Sequence, residues 1–179
     1  MENISKVLEL GSCEEKIEIL QTLDCTDNPE ILEKIISKLD DDDIQVRGEA
    51  FSSLVLNENK ISGFLIKSLN SASKNIRGFA SLVLANRNEI TAIPEIIKLT
   101  KDEHSMVRSC AIGALGHLKA HEAKEIFLES LSDSNLEVRK SAIQAIIDLN
   151  ITISEDQIKE INREKDPEIE KLLSQLKKS

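Results

Sequence analysis

The chain contains no tryptophan and no tyrosine, and its aromatic side chains are Phe51, Phe64, Phe79 and Phe127. A 179-residue chain of this kind must fill its core with Ile, Leu, Val and Ala. The aromatic platforms on which proteins stack single-stranded bases are missing. A net charge of −9 supplies no basic face to track phosphates, so no nucleic-acid partner is expected. The three histidines form no HExxH motif and the three cysteines no CxxC spacing or paired Cys–His arrangement. The six glycines are scattered, so no phosphate-cradling loop is present. No apolar run approaches the roughly 20 residues that span a bilayer, and no membrane partner is expected. The first residues, MENISKVLELGSCEEK, lack the basic and apolar regions of a signal peptide. These absences lead to the expectation of a cytoplasmic protein without catalytic residues, bound metal or cofactor. Cys13, Cys25 and Cys110 read as small buried hydrophobes in a reducing compartment.

What is present is apolar residues at 40% and charged residues at 31%, the balance of a folded globular chain. The length fits a single domain over 1–179. The charge is uneven: residues 1–45 carry 13 acidic and 4 basic side chains, and the remainder sums to zero.

Self-similarity organises the rest. The segment IQVRGEA (44–50) returns as KNIRGFA (74–80), SMVRSCA (105–111) and LEVRKSA (136–142). Arg47, Arg77, Arg108 and Arg139 follow one another at intervals of 30, 31 and 31 residues. One further step in each direction reaches Lys16 and Glu170, where the apolar neighbours persist and the arginine does not. Degenerate outer copies are expected where end repeats face water on one side. Counting from the residue before each arginine, positions 0, +4 and +8 read Val46/Ala50/Leu54, Ile76/Ala80/Leu84, Val107/Ala111/Leu115 and Val138/Ala142/Ile146. This is one apolar stripe of a helix, with alanine allowing close approach of a neighbour. A shorter amphipathic helix precedes each. Six helix pairs are predicted, near 3–24, 28–57, 59–87, 89–119, 121–150 and 155–178. Asp41, Ser71, Asp102 and Asp133, each six residues before its arginine, are expected to cap the second helices. In the run DDDDIQVRGEA (40–50), Asp41 is the repeat's own turn residue and one of Asp42 or Asp43 is the expected cap. The EF-hand spacing is absent, so the run is read as a solvated turn.

A polar, usually Asp-containing turn followed by Val-Arg-x-x-Ala at this period resembles the HEAT repeat, in particular the short HEAT-like form named after the phycobilisome lyases. The resemblance implies an all-α, right-handed α-solenoid of about six helix pairs. It also implies a structural ladder joining Asp41, Asp102 and Asp133 to Arg47, Arg77, Arg108 and Arg139, with Ser71 interrupting it. In such arrays the second helices line the concave face. At 100° per residue, positions +2, +6 and +9 lie opposite the buried stripe. They read Gly48/Ser52/Val55, Gly78/Leu82/Ala85, Ser109/Gly113/Gly116 and Lys140/Gln144/Ile147. The strip is small and nearly uncharged, which fits either a partner-binding surface or crowding between adjacent helices. The acidic N-terminal end, with Glu14, Glu15, Glu18 and Asp40 to Asp43, is a second candidate surface and would suit a basic partner. The expected function is a non-catalytic scaffold or adaptor for another protein, one that is basic or presents a helix. The alternatives are an accessory subunit of an enzyme complex, such as a bilin-lyase-like chaperone, and a HEAT-like metalloenzyme. For the last, His121-Glu122 matches one iron-binding pair of the HEAT-like hydroxylases, and one pair supplies too few ligands. His117 and His121 flank a turn and need not share a face.

Overall fold

Every regular element among the described residues is helical. The structure, a computed structural model, describes residues 2–162 and 165–176, apart from the side chains of Glu2 and Glu160. Residues 163, 164, 177 and 178 of the sixth expected repeat lie outside the described residues. Among the described residues, twelve α-helices fall into two compact units, residues 1–92 and 93–179. The first unit holds α1 (Glu2–Leu10), α2 (Cys13–Leu20), α3 (Pro29–Ser37), α4 (Ile44–Leu56), α5 (Ser62–Ser68) and α6 (Lys74–Asn86). The second holds α7 (Ile93–Leu99), α8 (Ser105–His117), α9 (Lys124–Ser130), α10 (Leu136–Asp148), α11 (Glu155–Ile161) and α12 (Pro167–Leu176).

The four arginine-bearing helices α4, α6, α8 and α10 are each 13 residues long, about 20 Å of helix. Their apolar stripe is the core. Val46, Ala50 and Leu54 are at most 1% exposed, as are Val107, Ala111 and Leu115, and Val138, Ala142 and Ile146. Ala80 and Leu84 are likewise sealed, whereas Ile76 is only half-buried. Ile76 lines an outer cavity of about 320 Å³ together with Ile36 and Phe64. Cys13 and Cys110 are half-buried and Cys25 is exposed, so the last is not a core residue. It sits in the connection between α2 and α3. Burial pushes the Cys110 thiol up to about 11, which leaves it protonated and unreactive.

The helix starts bear out Asp43, one of the two caps expected within the acidic run, and correct the caps expected six residues before the arginines. In α4, α6 and α10 the capping residue stands four positions before the arginine, and the residue six before it does a different task. The Asp43 side chain accepts from the amides of Gln45 and Val46, and Ser73 accepts from that of Ile76. Asn135 accepts from the amides of Glu137 and Val138. Asp41, Asp102 and Asp133 instead accept from the amide two residues on, at Asp43, His104 and Asn135. Ser71 does the same for Ser73. Each therefore closes a local Asx- or Ser-turn that aims the chain into the helix, a geometry that spacing alone does not separate from a cap. The ends of α6, α8 and α10 share a left-handed residue at Asn88, Lys119 and Asn150, with φ of 55°, 52° and 52°. The next amide in each reaches back to Leu84, Leu115 and Ile146, which satisfies a terminal carbonyl.

Candidate functional site

The repeating arginines share one contact. Nη1 of Arg47 donates to the carbonyls of Asp41 and Asp42 at 2.6 and 3.1 Å. Arg77 does so to Ser71 and Ala72, Arg108 to Asp102 and Glu103, and Arg139 to Asp133 and Ser134. Each guanidinium thus ties down the turn that leads into its own helix. In the second unit Arg108 also reaches the next repeat, where Nε and Nη2 donate to Asp133 at 2.9 Å each. This bidentate pair holds the Asp133 carboxyl below the usual carboxylate range, against a smaller opposing effect of burial. In the first unit Lys16 stands one repeat before Arg47 and bonds Asp41 at 2.9 Å. Burial opposes ionisation of Asp41, but Lys16, the Asp43 amide and Lys38 together hold its carboxyl low. For Arg47 the residue equivalent in repeat register to Asp133 is Ser71, whose hydroxyl carries no charge.

The predicted second-helix strip is heterogeneous. Gly48 and Ser52 on α4 are exposed, Val55 and Leu82 are half-buried, and Gly78 and Ala85 on α6 are buried. On α8, Gly113 is half-buried with no atom within 4 Å of where a Cβ would stand. Gly48 has the same open surroundings. Gly116 is the opposite case, because a Cβ there would meet the Ala145 Cβ at 2.9 Å. Ser109 is bonded across to Ser141 at 2.9 Å. Lys140 is engaged by Glu168 and Glu137, chiefly Glu168, which raises its pKa. Gln144 donates to Asp148 at 2.7 Å, and Ile147 lines a cavity of about 390 Å³ with Ile151, Ile153 and Ile158.

The open part of the strip borders a groove of about 400 Å³ between α4 and α6, lined by Ile44, Arg47, Gly48, Phe51, Phe79 and Leu82. Gly48 and Leu82 belong to the predicted strip. Ile44, Phe51 and Phe79 do not, because positions −2, +5 and +3 flank its midline and face across the α4–α6 gap. The signal in the sequence was their chemistry: two of four phenylalanines fall on these two helices outside the buried stripe. Ile44 is 72% exposed and Leu56, further along α4, is 64% exposed. A second residue that spacing did not single out is Arg87. Its guanidinium donates to the carbonyls of Leu54 and Asn59 at 3.0 and 2.9 Å, and also to that of Asn57, and so closes the end of α4.

Among the described residues no group of three or more His, Cys, Asp or Glu could hold a metal ion. His117 and His121 are both exposed, and His104 lies at the start of α8 beside Asp102. No described helix is long and apolar enough to cross a membrane.

Comparison with known proteins places this geometry. Residues 62–147 match the family described as HEAT repeats. Residues 18–48 match a HEAT repeat associated with sister chromatid cohesion. The two matches together reach across more than half of the chain, which belongs to the HEAT-repeat family; neither description specifies the short lyase-type form. A stretch of 74 residues is 34% identical to epoxyqueuosine reductase of Staphylococcus aureus, covering 41% of this chain and 20% of that enzyme. The chain thus spans about a fifth of the length of that relative. Two solved structures share the fold. A computationally designed armadillo repeat protein for modular peptide recognition has a TM-score of 0.61 at 18% identity, covering 98% of both chains. A designed armadillo repeat protein in complex with the peptide (KR)4 has a TM-score of 0.58 at 18% identity, covering 98% of this chain and 97% of that one. The fold is therefore all-α and of the armadillo/HEAT repeat class.

Proposed function

We propose that this protein is a non-catalytic, cytoplasmic adaptor that docks a partner protein on the face of its second helices. The observation that carries the reading is the groove between α4 and α6. An apolar recess lined by Ile44, Phe51, Phe79 and Leu82 stands open on a chain that is 31% charged. Exposed apolar surface of this kind, rimmed by polar residues, marks interaction sites. The armadillo-type neighbours described for peptide recognition support a protein or peptide as the occupant. The arginines and turn aspartates hold the repeats, and the binding work falls to the small and apolar side chains between them.

Gly48→Arg tests the reading without disturbing the core, since nothing lies within 4 Å of the added Cβ. Native lysate is passed over wild type, Gly48→Arg and Glu30→Gln, the last an exposed position on α3 that changes the charge by the same single unit and serves as a charge-matched control. A partner held by wild type and the control but lost by Gly48→Arg, with unchanged melting, supports docking in the groove. Equal capture by all three overturns it.

The local identity with epoxyqueuosine reductase favours a second reading, in which the repeats serve as an accessory module to an enzyme. Co-purification of an enzyme whose turnover changes when this chain is added distinguishes that reading from a passive adaptor.

A further inference from the structure

We infer that the occupant of the α4–α6 groove is a protein segment with an apolar anchor flanked by Lys or Arg. The inference rests on reading the second-helix face as the docking surface, and it adds the chemistry of the partner. Two independent features of the first unit meet at this groove. The first is its apolar lining, with Phe51, Phe79 and Leu82 half-buried and Ile44 72% exposed at one end. A recess of about 400 Å³ accepts side chains of a docked segment rather than a whole helix, whose diameter is about 10 Å.

The second feature is the sign of the charge around it. The α4 end of the groove is approached through the turn that carries Asp40 and Asp42, both exposed. Asp40 accepts from Asn75 Nδ2 at 2.8 Å, which places it at the first turn of α6, one turn before Phe79. On the other flank of α4 stands Glu49, within 3.5 Å of Gln21 at the end of α2. Helix α2 is in register with α4, because Lys16 and Arg47 occupy equivalent positions and Ser12 caps α2 as Asp43 caps α4. Glu14 and Glu18 therefore take on α2 the places of Gln45 and Glu49, and both are exposed. Two cations stand against these carboxylates: Arg47, which lines the groove and donates to the carbonyls of Asp41 and Asp42, and Lys74, exposed at the start of α6. The carboxylates outnumber them, and unit 1 as a whole carries 16 acidic and 10 basic side chains. An apolar segment flanked by acid would be repelled here, and a second copy of this acidic chain would bring more carboxylate to the same rim. A segment with basic flanks is steered in and then held by its anchor.

The absence of Trp and Tyr gives the test a silent background, since any tryptophan emission comes from the ligand. Three synthetic peptides with the same Trp-Leu centre, flanked by Lys and Arg, by Asp and Glu, or by Gly and Ser, are titrated into the full chain. At low salt the basic-flanked peptide is expected to show a saturable blue shift and to bind about tenfold more tightly than the Gly/Ser peptide. That advantage should shrink at about 0.5 M salt. It should also shrink in a Glu14→Gln/Glu18→Gln/Glu49→Gln variant that melts like wild type. Gly48→Arg should remove the shift for every peptide.

Equal binding of the three peptides, abolished by Gly48→Arg, overturns the basic-flank inference and leaves the docking surface standing. No shift with any peptide, while the lysate experiment still yields a Gly48→Arg-sensitive partner, also overturns this inference alone. No shift and no such partner overturn both. A dimer in sedimentation that Gly48→Arg dissolves assigns the groove to a second copy of the chain and overturns the inference.

Discussion

The helix pairs α4/α6 and α8/α10 are built from the same repeat, yet one pair leaves a groove and the other closes. In the second unit, Gly116 of α8 lies so near Ala145 of α10 that an added Cβ would stand 2.9 Å from its Cβ and 3.2 Å from its Cα. One level up, Ser109 and Ser141 meet at 2.9 Å between hydroxyl oxygens. The equivalent positions in the first unit are Val55 with Val83, and Gly48 with Phe79. Bulkier side chains at both levels hold α4 and α6 apart, and the space between them is the apolar recess. The inter-repeat ion pair follows the same division, with Arg108 reaching Asp133 and, for Arg47, Ser71 standing at the equivalent position of the repeat. Small residues and a salt bridge close one pair, and a phenylalanine wedge with a missing carboxylate opens the other.

Substitutions that exchange these features should break the contrast, and the largest effect is expected at the tight contact. Gly116→Val installs the residue that α4 carries at this position and should destabilise by about 2–3 kcal/mol through overpacking against the Ala145 backbone. Thermal melting checks it, and an unchanged Tm would show that α8 and α10 can separate freely. Asp133→Asn should cost about 1–2 kcal/mol by removing the charged partner of Arg108.

The same carboxylate gives a pH dependence. Its folded-state pKa is depressed, first by the Arg108 hydrogen bonds. Its contribution is therefore fully present above the unfolded value of about 3.9 and is lost as pH falls through the folded value. The Tm gap between wild type and Asp133→Asn should accordingly close in acid. A gap that persists below the folded-state pKa would mean that charge is not what holds the rung.

Smaller effects of opposite sign are expected where the structure is open. Gly48→Ala and Gly113→Ala should each stabilise by about 0.5–1 kcal/mol, because a helical glycine gives up backbone entropy and nothing stands in the way of a Cβ. Denaturant titration separates this from the loss at Gly116. Ser71→Asp should add about 0.5 kcal/mol by offering Arg47 the carboxylate that Asp133 offers Arg108. A null result, with Asp133→Asn still harmful, would show that the wedged pair is too wide to bridge.

The repeat was legible residue by residue. Val-Arg-x-x-Ala at 31-residue spacing located α4, α6, α8 and α10, and the stripe at 0, +4 and +8 named their buried face, with Ile76 the single partial exception. The candidate site was legible only in part. The opposite strip contained Gly48 and Leu82, but a strip drawn along the middle of the exposed face passes over the flanks. There Ile44, Phe51 and Phe79 look across at the neighbouring helix. Glycine also carried two meanings that composition could not part, an open surface at Gly48 and Gly113 and a closed contact at Gly116.

Secondary structure, the family and the buried stripe were determined by the sequence alone, because helical periodicity and turn chemistry are local properties that recur with each repeat. The tertiary structure decided which turn residue caps and which folds the turn, which carboxylate meets Arg108, and which helix pair stands open. Those outcomes depend on side-chain volumes facing one another across about 30 residues of chain. No window of one helix contains both partners.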